Sequence, residues 1–290
     1  MKFGLAFASS VGNDPQSALD MCRTAEAAGF DSVWGGEHVV RPDRIESPYP
    51  YTEDGVMPGE DDTLIPDPLI WLAYVAAAAP TLRLGTCILI VPQHNPVVLA
   101  KELATLDHLS GGRLELGLGV GWMREEFEVL GIPWERRGAR NDEYVAAMQA
   151  LWAGPHAEYH GEFVDFDAAT CSPRPVHGSI PILVGGDTPA AIRRAARMAD
   201  GYFPGSTDPE VLARLIQDFR RAAEDQGRDP ESIAIHSIFA QQIADPQAGV
   251  EEFAKLGVER VMVPAFFFAG PDGLDRLAAF GEQVVKPHAS

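Results

Sequence analysis

Residues 82–121 read LRLGTCILIVPQHNPVVLAKELATLDHLSGGRLELGLGVG, and the reading of this stretch decides the fold. Leu82–Val91 is an apolar run without in-and-out alternation, the pattern of a parallel strand covered on both faces. Asn95-Pro96 then opens a helix. The Asn side-chain oxygen accepts from N–H groups of the first turn, and proline at the next position has no N–H to leave unbonded. Leu99, Leu103, Leu106 and Leu109 are expected on one face, and Gly111-Gly112 stops the helix. Leu114–Val120 follows as a second buried strand. The stretch is therefore one strand–helix–strand unit.

Working outward, the same punctuation recurs. Asp14-Pro15, Asp67-Pro68, Thr188-Pro189, Asp208-Pro209 and Asp245-Pro246 each open a helix-periodic segment. After Pro209, for example, Leu212, Leu215, Ile216 and Phe219 form an apolar stripe. Six further short apolar runs predict strands at Phe3–Ala8, Ser32–Gly36, Ile180–Val184, Gly201–Pro204, Ile233–Ala240 and Arg260–Pro264. AAGFDSVW before the second strand is echoed by KLGVERVMV before the last. Eight strands interleaved with helices predict an α/β fold, a (β/α)8 TIM barrel with insertions, formed by residues 1–290 as one domain. A doubly wound α/β sheet is the alternative. Two segments exceed ordinary loop lengths: 37–66, which contains the acidic run Glu60-Asp61-Asp62, and 155–179, where EYHGEFVDFD reads as a hairpin. The first leaves a strand end and is expected at the barrel mouth.

The 290 residues are 46% hydrophobic and 22% charged, ordinary values for a globular chain. A formal net charge of −19 leaves no basic stripe for nucleic acid. Cys22, Cys87 and Cys171 are odd in number and lack pairing spacing, which predicts free thiols and a cytoplasmic protein. No run approaches the roughly 18 apolar residues of a membrane span, and MKFGLAFASS reads as a first strand.

Three places carry candidate chemistry. Gly117-Leu118-Gly119-Val120-Gly121-Trp122 ends a strand with glycines that let a flat ring approach backbone, or that simply form a tight turn. Gly185, Gly186 and Thr188 join a strand to a helix start, where N–H groups and the helix dipole suit a phosphate; a plain capped turn reads equally well. Asp187 beside them opposes an anion unless its carboxylate turns away. Glu37 and His38 follow the second strand, where barrel enzymes place acid–base groups, although a histidine there can also merely orient the loop. His94 follows the third strand, and His108 is expected on the surface. No H-x-H pair or acidic cluster suggests a metal, and no G-x-S-x-G elbow is present.

The segment from Leu82 to Trp152 resembles the bacterial luciferase-like superfamily, particularly its coenzyme F-420-dependent branch. N-P-V-x-L-A-K-x-x-A-T-L-D, L-S-G-G-R and G-V-G-W-x-x-E-E-F carry the resemblance, with weaker matches in GFDSVWGGEH and PILVGGDTPAAIRRAARMADGYFP. The resemblance implies a barrel oxidoreductase acting on a small organic molecule, and it allows a homodimer. It implies Glu37 and His38 beside the isoalloxazine, and a non-prolyl cis peptide at Cys87-Ile88 backing the ring. Gly119, Gly121 and Trp122 are expected near the ring or ribityl chain, and Gly185, Gly186 and Thr188 at the cofactor phosphate. The implied cofactor is coenzyme F-420, exchanging a hydride at ring carbon five while His38 moves a substrate proton and Glu37 orients it. FMN, reduced and reacting with oxygen in a two-component monooxygenase, is the alternative. A metal-dependent barrel hydrolase and a non-catalytic cofactor-binding protein are readings from other classes. The substrate pocket is expected to be shaped by 37–66 and by 155–179.

Overall fold

The computed structural model describes residues 1–59 and 63–289, so Glu60-Asp61-Asp62 lies outside the described residues. Its strands are β1 (Lys2–Ala6), β2 (Ser32–Gly35), β3 (Arg83–Thr86), β4 (Leu89–Ile90), β5 (Leu114–Gly119), β6 (Ala157–His160), β7 (Asp165–Ala169), β8 (Ile182–Gly185), β9 (Gly201–Phe203), β10 (Ala234–Ile238) and β11 (Arg260–Pro264). Its helices are α1 (Ala8–Val11), α2 (Pro15–Ala27), α3 (Pro68–Val75), α4 (Pro96–Ser110), α5 (Arg124–Val129), α6 (Arg137–Ala153), α7 (Pro189–Met198), α8 (Pro209–Asp225), α9 (Pro246–Leu256) and α10 (Gly273–Phe280).

All six small-polar–proline pairs start helices, and each capping side chain accepts from a first-turn N–H. Asp208 takes Val211 N at 2.9 Å and Asn95 takes Val97 N at 3.0 Å. The two echoing segments turn alike: Gly29 (φ 89°) and Gly257 (φ 80°) end α2 and α9 in the left-handed region that glycine reaches without a Cβ clash. The strands they lead into, β2 and β11, both pair with β1. Parallel pairing runs β1-β2-β3-β5-β8-β9-β10-β11 and back to β1, with β4 continuing the line of β3 beside β5. This is a closed eight-stave (β/α)8 TIM barrel, and the doubly wound alternative falls. The main apolar core lies between staves and helices. A smaller cluster fills the barrel, built on Trp34, Leu183, Phe203, Ile238 and Met262.

Four expectations need correction. The first strand stops at Ala6, because Phe7 enters the left-handed region (φ 55°) and Ala8 opens α1. The third strand is two pieces, interrupted where the Cys87-Ile88 peptide is cis. Leu109 is 74% exposed, and Ser110 takes the inner position instead. At about 100° per residue Leu109 falls some 80° off the Leu99 direction, whereas residue 110 returns to it. Finally, 155–179 does form the β6–β7 hairpin, but it packs along α6 rather than over the mouth. Glu143 of α6 accepts from Phe163 N (2.6 Å) and Val164 N (2.8 Å), and Val176 N reaches Asp107 of α4.

The end of the barrel where the strands begin is closed by charge. Arg260, almost fully buried, bonds Asp31 at 2.7 Å and Glu115 at 2.6 Å, and Arg83 also bonds Glu115. Arg260 donates to His236 Nε2 at 3.3 Å. Burial, with the Arg260 charge beside it, pushes the His236 imidazole down to about 3. Burial alone would raise the Glu115 carboxyl, but Arg260, His236 and Arg83 outweigh it and hold the group at about 2. Both values lie below those of the unfolded chain, so the unfolded chain binds the extra protons. Stability is therefore full above the ordinary histidine value of about 6.5. It declines as pH falls toward 3 through His236, joined below about 4.5 by Glu115. The urea midpoint should drop steadily between neutral pH and pH ~4, and His236→Asn should flatten the upper part of that decline.

Candidate active site

The strand ends that face away from this closed floor form the mouth. Thr86, Cys87 and Ile88 make one wall of it. Thr86 Oγ1 donates to Gly117 O at 2.7 Å, and Ile88 lies half-buried between Gly119 and Gly185. A Cβ on Gly119 would collide with Ile88 Cδ1, and one on Gly185 would lie 3.3 Å from Ile88 Cγ2. Gly121 (φ 80°) turns tightly, and a Cβ there would sit 2.7 Å from the Phe127 ring. Gly121 is thus required by its own backbone and packing, whereas a side chain at Gly119 or Gly185 would need Ile88 to move. The Cys87 thiol is buried and pushed up to about 12, so it stays protonated and is no nucleophile.

Glu37 and His38 leave β2 in different directions, which overturns the expected orienting contact between them. Glu37 turns toward β4, accepting from Ile90 N at 2.6 Å and pairing with His94 Nε2 at 2.9 Å. Burial lowers the His94 imidazole's affinity for a proton, but the hydrogen bond and charge of Glu37 outweigh it, and the net shift is upward. His38 is held instead by Glu126 of α5, Nδ1 to Oε2 at 3.1 Å. Glu126 also accepts from Val39 N (2.7 Å) and Val40 N (3.4 Å). When Nδ1 carries the proton donated to Glu126, Nε2 is left without a protein partner among the described residues. The sequence pointed to Glu126 only as part of G-V-G-W-x-x-E-E-F, and it gave His94 no role. Gln93, next to it, has a buried side-chain amide with no hydrogen-bond partner among the described residues.

Residues 37–59 strap the mouth from β2 across to β5 and β9. Glu125, next to Glu126, accepts from Glu46 N (2.9 Å) and Ser47 N (3.0 Å). Trp122 sits edge-on to His38 at 6.0 Å and to Tyr49 at 5.1 Å, and Tyr51 follows Tyr49 at 5.4 Å. Gly205 leaves room for Tyr51, since a Cβ there would collide with the ring.

At the β8–α7 turn, Thr188 caps α7 through Ala191 N at 3.2 Å. Gly186 (φ 115°) donates to Phe203 O at 3.2 Å. Asp187 does turn away: Gly205 N donates to it at 2.7 Å. Burial raises its carboxyl above the ordinary range despite that bond. The objection to an anion at this helix start is thereby removed. Ile88, Gly119 and Gly185 come together as one shelf, Trp122 stands with His38, and Gly186–Thr188 run on directly from the Gly185 edge of the shelf into the start of α7. Among the described residues, no group of three or more His, Cys, Asp or Glu gathers as a metal site, and no helix is long and apolar enough to cross a membrane.

A closed parallel (β/α)8 barrel with a histidine and a helix start at its mouth defines an architecture in which the strand-end loops carry the site. Residues 1–279 match the model of the luciferase-like monooxygenase family, and the chain belongs to that family. An uncharacterized protein of Mycobacterium tuberculosis is 35% identical over 289 residues, spanning 98% of this chain and 97% of the relative. An F-420-dependent glucose-6-phosphate dehydrogenase of Nakamurella multipartita is 33% identical over 234 residues, spanning 79% and 63%. An FMNH(2)-dependent dimethylsulfone monooxygenase of Pseudomonas putida is 32% identical over 193 residues, spanning 60% and 53%. The chain is an oxidoreductase of a family whose members use flavin or deazaflavin.

Proposed function

We propose that this oxidoreductase uses coenzyme F-420 to exchange a hydride with a small organic molecule, with His38 as the proton carrier. The observation that carries the reading is the pairing of two features at one mouth: the Ile88 shelf between Gly119 and Gly185, and a histidine tied through Nδ1 to a buried carboxylate. The F-420-dependent relative lends support. Bound, the deazaflavin supplies or accepts the hydride. Ile88, Gly119 and Gly185 would back its ring, with Cys87 contributing only backbone. Gly121 and Trp122 would flank it, and Gly186 and Thr188 would receive its phosphate at the start of α7.

His38 Nε2 gives or takes the proton on a substrate oxygen, while Glu126 fixes the tautomer and stabilises the imidazolium. Glu37 acts one step removed, fixing Ile90 and His94. Tyr49 and Trp122 exclude water. The three buried free thiols accord with a reducing cytoplasm.

FMN is the second reading, favoured by the FMNH(2)-dependent relative; the same shelf and helix start would serve it. Fluorescence titration of the full chain with FMN and with oxidised and reduced F-420 separates the two. Tighter binding of F-420 is the expected result. Preference for FMN would make the protein a monooxygenase component, and binding of neither would remove the redox reading.

A further inference from the structure

Burying a charge without an opposite one is costly, so a guanidinium drawn below the surface is normally found against a carboxylate. Most arginines where α6 meets α7 are satisfied in the ordinary ways. Arg194 of α7 bonds Asp142 of α6 and donates to Gly138 O at 3.1 Å, and Arg197 joins Asp142 at 2.6 Å. Arg136 pairs with Glu162. Arg140, almost fully buried, donates to Pro133 O at 2.7 Å and to Glu135 O at 3.2 Å.

Arg137, the first residue of α6, is different. It is partly buried, its Nε donates to Gly121 O at 3.3 Å, and its guanidinium lies 3.5 Å from the centre of the Trp134 ring. Among the described residues no carboxylate pairs with it, and its two terminal amino groups have no hydrogen-bond acceptor. Burial and the like charge of Arg194 both weaken its hold on its proton. In a chain of formal net charge −19, this cation is left without a counter-ion.

Its place in the barrel is specific. Gly121 follows β5, and Leu118 of β5 stands level with Val184 of the neighbouring β8. Three residues on from that register lie Gly121 on one stave and Asp187 on the other, inside the turn that leads from Gly185 to Thr188 and α7. A Cβ on Gly185 would lie 3.6 Å from Leu118 O, so the two stave ends are in touch. The Asp187 carboxylate is turned to Gly205 N. Arg137 is therefore fastened to the β5 turn beside the β8–α7 turn, and the Arg194–Asp142 pair ties α6 to α7.

We propose that Arg137 is an anion-binding residue that receives a phosphate carried by the bound cofactor. Its two free amino groups make charge-assisted hydrogen bonds to the phosphate, which it shares with the N–H groups at the start of α7. This rests on the cofactor reading for what carries the phosphate, but not for the affinity of Arg137 for phosphate itself.

The test compares ligands that differ in the phosphate-bearing arm: FMN against riboflavin, and F-420 against its phosphate-free ring and ribityl fragment. Affinities are read by fluorescence titration of the full chain. The phosphate-bearing member should bind at least about tenfold more tightly than its partner. Arg137→Gln should cut that ratio by about fivefold or more and leave the affinity for the phosphate-free member unchanged. Arg137→Lys, which keeps the charge but not the planar fork, should retain part of the ratio. A ratio unaltered by Arg137→Gln, or equal losses for both members, overturns the proposal. A second measurement needs no variant. Inorganic phosphate added to the wild-type chain should shift the Arg137 Nε–Hε resonance, and sodium chloride at equal ionic strength should not. A resonance that ignores phosphate also overturns the proposal. Phosphate that shifts Arg137 in a protein binding neither pair would leave the anion site standing and remove the redox reading. Cofactor binding that Arg137→Gln leaves intact would do the reverse.

Discussion

Replacing His38 by alanine is expected to lower turnover by about 10²–10⁴-fold, the usual worth of a positioned general acid or base. Cofactor affinity and melting temperature should barely move. The imidazole makes one hydrogen bond, to Glu126, and that carboxylate keeps Val39 N and Val40 N when the ring is gone. No buried charge is therefore stranded. Glu126→Gln separates positioning from chemistry. Its carbonyl oxygen can still accept from Val39 N, but its amide no longer favours a proton on His38 Nδ1. The ring should lose its single tautomer, visible in the ¹⁵N shifts of the apoprotein, and kcat should fall with KM little changed. A His38→Ala enzyme with full turnover would remove His38 from the reaction.

Arg260→Met should destabilise the fold by about 3–5 kcal/mol, the range for breaking a buried ion pair from one side. Glu115 would keep only Arg83, and Asp31 would lose its cation altogether. The Arg260 guanidinium also lies 5.5 Å from the Trp34 ring, a contact that methionine replaces only in part. Most of the loss is a penalty on the acids left behind, so Arg260→Met combined with Glu115→Leu should recover a large share of it. Denaturant midpoints of the single and double variants decide the matter. A single-variant loss below about 1 kcal/mol would mean that the floor charges are hydrated and the cluster weak.

What the sequence made legible is what depends on near neighbours. Asp14, Asp67, Asn95, Thr188, Asp208 and Asp245 cap helices through bonds spanning two or three residues, so the barrel's rhythm could be read from the chain. The end of the first strand is not legible, because Phe7 adopts a backbone state (φ 55°) that its side chain does not advertise. The site was half legible. The motif positions are there, but the pairing of His38 with Glu126 crosses 88 residues and that of Glu37 with His94 crosses 57. Side-chain direction after β2 decides those partners, and composition says nothing about it. The hairpin in 155–179 was recognisable from its alternation, whereas its seat on α6 depends on Glu143, a residue with no local signature.

Glu125 and Glu126 grip the strap through the main-chain N–H groups of Val39, Val40, Glu46 and Ser47, and of these four only Ser47 adds a side-chain contact, its hydroxyl accepting from Arg124 N at 3.2 Å. An attachment of that kind is indifferent to most of the letters it holds. At Val39, Val40 and Glu46 any residue but proline keeps the main-chain bond to α5. Variation in the strap is then free to follow the ligand while the anchor on α5 stays constant. For protein engineering, this makes the strap outside Ser47 a cassette: new sequences can be written there with the His38–Glu126 bond left in place.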